Sequence, residues 1–439
     1  MRTSLEALPT ELIEMIVKFL PFRDIACLRL TSRNIEGKAS EGSFTTLFHH
    51  KKVTLHARRL DDLVRMTHQS HLVCRLRHLT VIGPVGLGKA RSKYRADEHV
   101  PLLAEAFRNL KTNSPAGHLV SLSLRAAVVS SCPDAIKWSE FWTVVRRTFK
   151  VTMAALNEAN LCVADHLDLF GGATGYSLEF DAFVIFTLRK VPVGMFMHLK
   201  RLTLSLSSPL VATSEDNSYV PDNQSQSLHT GAALRIILNV SRIMPELERV
   251  NLHWYDVGED ASSSVVHYAT PSDTTGFSAP LHLKKCSLAG VVVSEDDLLQ
   301  FITSVRPARL KMKNVRLVSG TYNSLFKYLT LPDTPTTSYN LGNIFEDCGK
   351  PVHFNIPKKS KYPQESLASR GPLTLSRHIS DPRQGDITYQ LGAGTRPPQR
   401  YNDWPNRVME EFGPPAFKCF DLVDPLSIRN DVEIGYRYM

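Results

Sequence analysis

A short apolar pattern, L-x-x-L-x-L, recurs through the middle of the chain and constrains the fold more than any other sequence feature. The last apolar residues of each copy alternate with polar ones, which is typical of a strand with one buried and one exposed face. The copies are spaced more widely and less regularly than the roughly 20–29 residues of most leucine-rich repeats. Six copies and a weaker seventh occur, at Leu76/Leu79/Val81, Leu119/Leu122/Leu124, Leu199/Leu202/Leu204, Leu247/Val250/Leu252, Leu283/Cys286/Leu288, Met312/Val315/Leu317 and, weakly, Ala164/Leu167/Leu169.

Most copies follow a stretch with helical periodicity. A helix followed by a short strand, repeated, predicts parallel strands joined by right-handed crossovers. Stacked in register, such units form an irregular α/β solenoid with strands on the concave side and helices outside. The alternative is a compact α/β domain whose strands share a leucine bias. The helical stretches are 59–72, 102–110, 138–157, 228–244 and 296–305, with a closing helix at 324–329.

The polar positions between the buried leucines form the candidate binding surface, because the concave face of a solenoid usually binds partners. Basic side chains at these positions would suit an anionic motif of a partner. The residues assigned to this candidate substrate surface are Lys200, Arg201, Arg249 and His253.

Two short helices are predicted near the N-terminal end of the chain. Thr10 is placed as the N-cap of the first, with Glu11 in its first turn, where a carboxylate meets the positive end of the helix dipole. Pro21 is expected to end this helix, because a proline disfavours the helical conformation of the residue before it. Helices of this size cannot bury a full core alone, so their apolar faces must meet the next domain, a partner helix or both. One apolar stripe on the first helix consists of Leu12, Ile16, Phe19 and Leu20.

This N-terminal segment resembles an F-box, a small helical module that docks on the Skp adaptor of cullin-type ubiquitin ligases. The family pattern is Leu-Pro, then Glu-Leu, then apolar, acidic and basic residues at fixed spacing. The middle of the chain is similar to the degenerate leucine-rich-repeat halves of fungal F-box proteins. The matching F-box positions are Leu8, Pro9, Glu11, Leu12, Ile16, Leu20, Asp24, Leu28, Leu30, Ser32 and Arg33.

The resemblance implies the substrate-recognition adaptor of a Skp–cullin–F-box ubiquitin ligase. Such a subunit does no covalent chemistry and acts by bringing a substrate lysine near a charged conjugating enzyme. Its partners would be the Skp adaptor, the cullin and an unknown protein substrate. The alternative is a non-catalytic leucine-rich-repeat scaffold in which the F-box-like helices serve only internal packing. The residues that the resemblance assigns to the Skp adaptor are Leu8, Pro9, Glu11, Leu12, Ile16, Leu20, Asp24 and Leu28.

Sequence composition divides the chain into four parts. Residues 1–45 are the F-box, and residues 46–345 are the irregular leucine-rich-repeat-like domain, with polar loops inserted at 207–226 and 256–280. Residues 346–400 are rich in Pro, Ser and Lys/Arg, which predicts a disordered linker. The C-terminal segment, 401–439, carries aromatic residues that form either a short helix and strand docked on the body or a peptide that folds on binding.

The overall composition excludes several classes of function. The net charge of +9 comes from dispersed basic residues without interleaved aromatics, so a solvated basic surface is predicted in place of a nucleic-acid interface. No run of about 18 apolar residues occurs, so no membrane segment is expected. The seven cysteines lack the close pairs of a zinc or disulfide framework, which fits a cytoplasmic or nuclear location. The sixteen histidines show no metal-ligand spacing, and no cofactor is predicted.

The sequence after the first copy of the apolar pattern resembles a phosphate-binding loop. Residues 83–90 fit the G-x-x-x-x-G-K pattern of a P-loop, in which Lys89 would contact the phosphates. Ala90 replaces the hydroxyl residue that would hold Mg²⁺, and the residues after it lack the apolar face of the required helix. A flexible Gly-rich loop leaving the first repeat strand is therefore favoured over a nucleotide enzyme.

Overall fold

The structure, a computed structural model, describes most of the chain between Leu5 and Gly392. The predicted C-terminal segment 401–439 and the predicted loop 256–280 lie outside the described residues. The described residues are 5–40, 46, 48–69, 75–86, 96–128, 138–172, 176–188, 194–208, 210–212, 219–221, 226–240, 243–255, 281–346, 349–355, 371–378 and 386–392.

Three short helices make an N-terminal module with a small apolar core of its own, separate from the main core. Because the helices are short and pack together, each contributes only one or two apolar residues to this core. The helices are α1 (Thr10–Phe19), α2 (Phe22–Arg29) and α3 (Arg33–Ala39). The buried core residues are Ile13, Val17, Ile25, Ile35 and Ala39.

The ends of α1 are set by two prolines. Pro9 occupies the N-cap position, and Thr10 is the first helical residue with no capping bond, so the predicted Thr10 cap is wrong. A proline suits this place because the first turn leaves N–H groups without intrahelical partners, and proline has none to leave. Leu20 is extended (φ −93°, ψ 140°) directly before Pro21, which confirms the predicted end of the helix.

The body of the protein is a mixed α/β structure built on an 11-stranded sheet. Strands β1, β2, β3, β4, β6, β9, β10, β12 and β14 are neighbours in chain order and parallel, β5 pairs with β6, and β17 adds antiparallel to β14. The strand bounds are β1 His50–Thr54, β2 His78–Val85, β3 His118–Val128, β4 Cys162–Leu169, β5 Leu178–Glu179, β6 Arg201–Ser207, β7 Leu210–Ala212, β8 Tyr219–Pro221, β9 Arg249–Tyr255, β10 Lys285–Ala289, β11 Val292–Val293, β12 Arg309–Lys313, β13 Arg316–Leu317, β14 Ser338–Gly342, β15 Phe345–Glu346, β16 Lys350–Phe354, β17 Thr374–His378 and β18 Tyr389–Leu391.

Helices connect most of these strands and form a second layer that also follows chain order, each helix contacting the next. The helical stretches predicted from periodicity are confirmed, with ends that differ by a few residues. None of the described helices is both long and apolar enough to cross a membrane. The helix bounds are α4 Ala57–Gln69, α5 Ala96–Asn113, α6 Trp138–Ala159, α7 Phe180–Leu188, α8 Gln226–Val240, α9 Glu295–Val305 and α10 Asn323–Thr330.

The repeated apolar pattern forms a continuous buried ladder across the main sheet. Five of the six predicted copies, and the weak seventh, contribute their last residue to it. Each fully buried aliphatic side chain of this kind stabilises the fold by about 1.5–3 kcal/mol. The ladder, in register from β1 to β17, is Val53, Val81, Leu124, Leu169, Leu204, Leu252, Leu288, Met312, Leu341 and Leu375.

The predicted sixth copy, Met312/Val315/Leu317, is in the wrong register. Met312 pairs with Leu288 and is therefore the last residue of its copy. Val315 and Leu317 are buried as well, but they belong to the turn after β12 and to the short strand β13. Buried residues of two consecutive strands, β12 and β13, thus happen to have the spacing expected within a single copy of the pattern.

A second repeat, which the sequence reading missed, follows the last three parallel strands of the main sheet. Gly290, Asn314 and Asn343 all adopt positive φ (70°, 55° and 50°), and glycine and asparagine tolerate this conformation best. The backbone N–H groups of Gly290 and Asn314 donate to carbonyls at the end of the next strand, and that of Asn343 donates to the carbonyl directly before β17, each at 3.0 Å. The chain thereby turns into a second, 5-stranded sheet in the order β11, β13, β15, β16 and β18.

Two segments predicted to lack structure contain strands. The predicted disordered linker 346–400 includes β16, β17 and β18, which pair with β15, β14 and β16. The predicted loop 207–226 contains the antiparallel pair β7 and β8. In the linker, few apolar residues are needed because each strand adds to the edge of an existing sheet, where Val352, Phe354 and Leu375 become buried. Local composition therefore gave the wrong prediction for these pieces.

Candidate functional site

The N-terminal module exposes an unusual share of apolar side chains. Of the eight large apolar residues exposed in the described part of the chain, five lie between Leu5 and Leu30. Three of these are on α1: Leu12 is 44% exposed, Met15 54% and Phe19 86%. Their spacing of three and four residues places them on one side of the helix. We call Leu12, Met15 and Phe19 the exposed α1 face.

The helix is apolar on two sides, and only one of them is covered by the module. Ile13 and Val17 are 0% and 3% exposed and fill the module core. The exposed α1 face has no comparable cover from the described residues. Clustered apolar surface of this kind marks a protein–protein contact more often than an isolated exposed leucine does.

The structure divides the eight residues predicted to bind the Skp adaptor into two groups. The first group is half-buried and packs against the module core, and it consists of Leu8, Ile16, Leu20 and Leu28. Met15 was missed by the sequence reading, although it lies three residues after Leu12 and four before Phe19. The predicted residues that are exposed are Pro9, Glu11, Leu12 and Asp24.

Polar contacts hold the three helices of the module together. The Lys38 ammonium donates to the backbone carbonyls of Glu6 and Leu8, at 2.8 Å each, which ties α3 to the segment before α1. The Arg29 guanidinium at the end of α2 donates to Ser40 Oγ at 2.8 Å. A face that is already ordered loses less conformational entropy when it binds.

The second candidate surface is the face of the main sheet opposite the buried ladder. Lys200 is exposed directly before β6, and its carbonyl accepts hydrogen bonds from the backbone N–H groups of Glu248 and Arg249. Arg201 and Arg249 are register partners on β6 and β9. The structure therefore brings three of the four predicted substrate-binding residues together. Arg201, however, is ion-paired with the Asp165 carboxylate of β4.

His253, the fourth predicted residue, lies farther along β9 and is half-buried. Its Nδ1 is 3.4 Å from Ser205 Oγ. Burial, together with the positive charge of Lys313, lowers the pKa of His253 to about 4. The imidazole is therefore neutral at pH 7 and adds no charge to this surface.

Strand β4 neutralises the basic residues around it. The Asp168 carboxylate accepts two hydrogen bonds from the Arg125 guanidinium, at 2.5 and 3.0 Å, and a third from the Gly171 N–H at 2.8 Å. Asp165, also on β4, accepts one hydrogen bond from the Arg201 guanidinium of β6. The positive charges of Arg125 and Arg201 are therefore neutralised by carboxylates of β4.

Histidines line the first strands of the same face without forming a metal site. His50 and His78 stack at 4.3 Å between ring centroids, and His78 Nδ1 is 2.8 Å from Ser121 Oγ. Burial lowers the pKa of His78 and of His166, so both favour the neutral form. Among the described residues, no group of three His, Cys, Asp or Glu could hold a metal ion.

The P-loop-like sequence does not begin as a phosphate loop does. Gly83 lies inside β2, whereas the first glycine of a P-loop opens the loop after the strand. A Cβ at Gly83 would come within 2.1 Å of Thr148 Oγ1 and 2.6 Å of Val144 Cγ1 on α6, so this glycine is needed for helix packing. Lys89 and Ala90 lie outside the described residues.

Comparison with known protein families matches residues 5–36 to the F-box domain. The match covers α1, α2 and the start of α3, which are the elements that present the exposed α1 face. The search of curated proteins found no match. F-box domains typically bind the Skp adaptor in Skp–cullin–F-box complexes. The chain carries an F-box domain at residues 5–36.

Proposed function

We propose that this protein is a non-catalytic substrate adaptor of a Skp–cullin–F-box ubiquitin ligase, acting in the cytoplasm or nucleus. The F-box holds the Skp adaptor, the Skp adaptor links the chain to the cullin, and the main sheet with its helices holds a protein substrate. Catalysis of ubiquitin transfer belongs to other subunits. The contribution of this chain is to keep a substrate lysine near the conjugating enzyme.

One observation carries the proposal: the exposed α1 face lies on a module that is matched to the F-box domain. Leu12, Met15 and Phe19 are apolar, adjacent and uncovered by the described residues. A partner that covered them would remove apolar area from water at about 25 cal/mol for each Å². Pro9 is exposed at the start of α1 and Asp24 on α2, so Pro9 would add an apolar contact and Asp24 a polar one.

The substrate-binding part of the proposal rests on the two-layer arrangement of the body. Strands and helices both follow chain order, and the ladder is continuous across the sheet, which supports an irregular leucine-rich-repeat-like solenoid. Cys286 pairs with Leu310 on the next strand, and Leu310 pairs with Tyr339 on the strand after it. The sequence separation of each pair falls within the roughly 20–29 residues typical of leucine-rich repeats. In such folds the strand face is a usual place for partners.

The proposal is tested by measuring the affinity of the purified chain for a purified Skp adaptor by isothermal titration calorimetry. The test variant combines Leu12→Ala, Met15→Ala and Phe19→Ala. We expect a loss of affinity of about a hundredfold or more, because central apolar contacts cost about 1–2 kcal/mol each when truncated. Far-UV circular dichroism of both proteins verifies that the variant is folded.

A control variant removes three exposed apolar residues from elsewhere in the described part of the chain. Val318, Leu331 and Leu391 are 44%, 47% and 39% exposed, and their combined replacement by alanine should leave the affinity unchanged within about twofold. Equal losses in both variants would show that the α1 face has no special role. No binding by the wild-type chain would favour the non-catalytic scaffold.

A further inference from the structure

The strands in the second half of the main sheet carry an excess of positive charge. Strands β9, β10, β12, β14 and β17 contain six Arg or Lys residues and no Asp or Glu. The first half differs, because β4 supplies Asp165 and Asp168 as partners for neighbouring arginines. Strands β1 to β6 carry four Arg or Lys residues and three Asp or Glu residues, so the excess of basic residues is larger in the second half.

Four of the six basic residues form a stripe across neighbouring strands, and we call Arg249, Lys285, Arg309 and Lys311 the basic stripe. Arg249 and Lys285 are register partners, and Arg309 begins the next strand. Each alternates with a buried ladder-side residue, so all four point to the opposite face of the sheet. None of the four makes a salt bridge with another described residue.

An open cavity of about 440 Å³ lies at this end of the sheet. Lys285, Arg309 and Lys311 line it together with residues of β14 and β17, which include Arg377 and His378. Cations combined with hydroxyl and amide donors are suited to anionic oxygen atoms. The Ser and Asn residues that line the cavity are Ser338, Asn340 and Ser376, and Asn340 Nδ2 donates to Ser376 Oγ at 3.4 Å.

The spread of the cations favours an extended acidic segment. Neighbouring strands are about 4.8 Å apart, so the cations at the starts of β9, β10 and β12 span about 10 Å. This length matches about three residues of extended chain and exceeds the size of one phosphate group. Nucleic acid is disfavoured because the aromatic residues of these strands, Trp254, Tyr255 and Tyr339, are buried and offer no stacking surface.

We propose that the basic stripe binds an Asp/Glu-rich segment of a protein partner. The carboxylates would pair with Arg249, Lys285, Arg309 and Lys311, and the segment would lie across the strands. The binding site itself is independent of the F-box. The further statement that the partner is the ubiquitylation substrate rests on the proposed function.

The test is fluorescence anisotropy of a labelled peptide of about twelve alternating Glu and Asp residues, titrated with the full chain. The test variant is Arg309→Glu/Lys311→Glu. The matched control is Arg58→Glu/Lys111→Glu, which makes the same change in net charge at exposed positions of α4 and α5. We expect the test variant to weaken binding about tenfold or more and the control to change it by less than about twofold.

Three outcomes would overturn the proposal. Equal weakening by both variants would show a general effect of the net charge of +9. Tighter binding of a phosphoserine peptide with the same total charge would identify a phosphate site. Tighter binding of a single-stranded oligonucleotide would identify a nucleic-acid surface.

Measuring Skp-adaptor binding for the same variants separates this inference from the proposed function. Peptide binding lost in the Arg309→Glu/Lys311→Glu variant, with Skp binding unchanged, supports both. Peptide binding by a chain that does not bind the Skp adaptor would keep the basic stripe as a partner site and remove only its link to ubiquitylation.

Discussion

Two residues of α1, one buried and one exposed, should respond in opposite ways to truncation. Ile13 is 0% exposed and fills the F-box core, whereas Phe19 is 86% exposed. We therefore expect Ile13→Ala to destabilise the F-box and leave the Skp-binding surface chemically intact. Phe19→Ala should leave the F-box stable and weaken Skp binding.

The size of the two effects follows from burial. Removing a buried isoleucine side chain costs about 2–5 kcal/mol. The F-box core contains only five buried residues, so this loss is comparable with the whole stability of so small a module. Truncating a side chain that is mostly in water changes stability by less than about 0.5 kcal/mol. The free energies of local opening should therefore differ by at least about 1.5 kcal/mol between the variants.

Amide hydrogen exchange of the full-length chain, followed by mass spectrometry of peptides from residues 5–40, measures this opening directly. Exchange in these peptides should accelerate about thirtyfold or more in Ile13→Ala and stay within about twofold of wild type in Phe19→Ala. Peptides from the main sheet serve as the internal control, because the two cores are separate. Acceleration by Phe19→Ala to the level of Ile13→Ala would refute the reasoning, because it would mean that Phe19 is buried in solution.

Three further predictions concern the body of the protein. Gly290→Ala should destabilise it by about 2–5 kcal/mol in urea denaturation, because the new Cβ would meet the Trp254 carbonyl oxygen at 2.3 Å in a positive-φ conformation. Gly172 also has positive φ but open space around it, so Gly172→Ala should cost only about 1–2 kcal/mol. Equal costs for the two variants would contradict the steric argument. Asp168→Asn should cost about 3 kcal/mol, because it leaves a partly buried guanidinium without its carboxylate; a loss below about 1 kcal/mol would contradict this. Burial lowers the pKa of His99 to about 4, below its unfolded value of 6.5, so stability should fall by about 3 kcal/mol as the pH drops from 6.5 to 4. His99→Gln should flatten this pH dependence of stability. An unchanged slope in the variant would assign the pH dependence to other groups.

The sequence predicted the main elements well where apolar periodicity was strong. The ladder positions Leu124, Leu204 and Leu252 were identified because strand alternation is visible whenever both buried positions are leucine-like. The strands β1 and β14 were not predicted, because Lys51 and Tyr339 occupy the middle position of the L-x-x-L-x-L pattern, where the other strands have an aliphatic residue or cysteine. The register of Met312 was predicted wrongly, because the buried residues of β12 and β13 together fit the L-x-x-L-x-L spacing of a single copy.

The candidate sites were predicted only in part, for a different reason. The F-box positions were visible from sequence because they lie within one short segment, and Met15 could have been added by helical spacing alone. The pairing of Arg201 with Asp165 was not visible, because it joins strands that are far apart in the chain. The same holds for the basic stripe, which depends on which strands lack carboxylates and which are neighbours.

Purification of the tagged full-length chain from cells, with immunodetection of the Skp adaptor and the cullin, tests the adaptor role most directly. The Leu12→Ala/Met15→Ala/Phe19→Ala variant and the Val318→Ala/Leu331→Ala/Leu391→Ala variant are purified in parallel. The account predicts that wild type and the second variant recover both partners and that the first variant recovers neither. Absence of both partners from wild type, or their recovery by all three proteins in equal amounts, would contradict it.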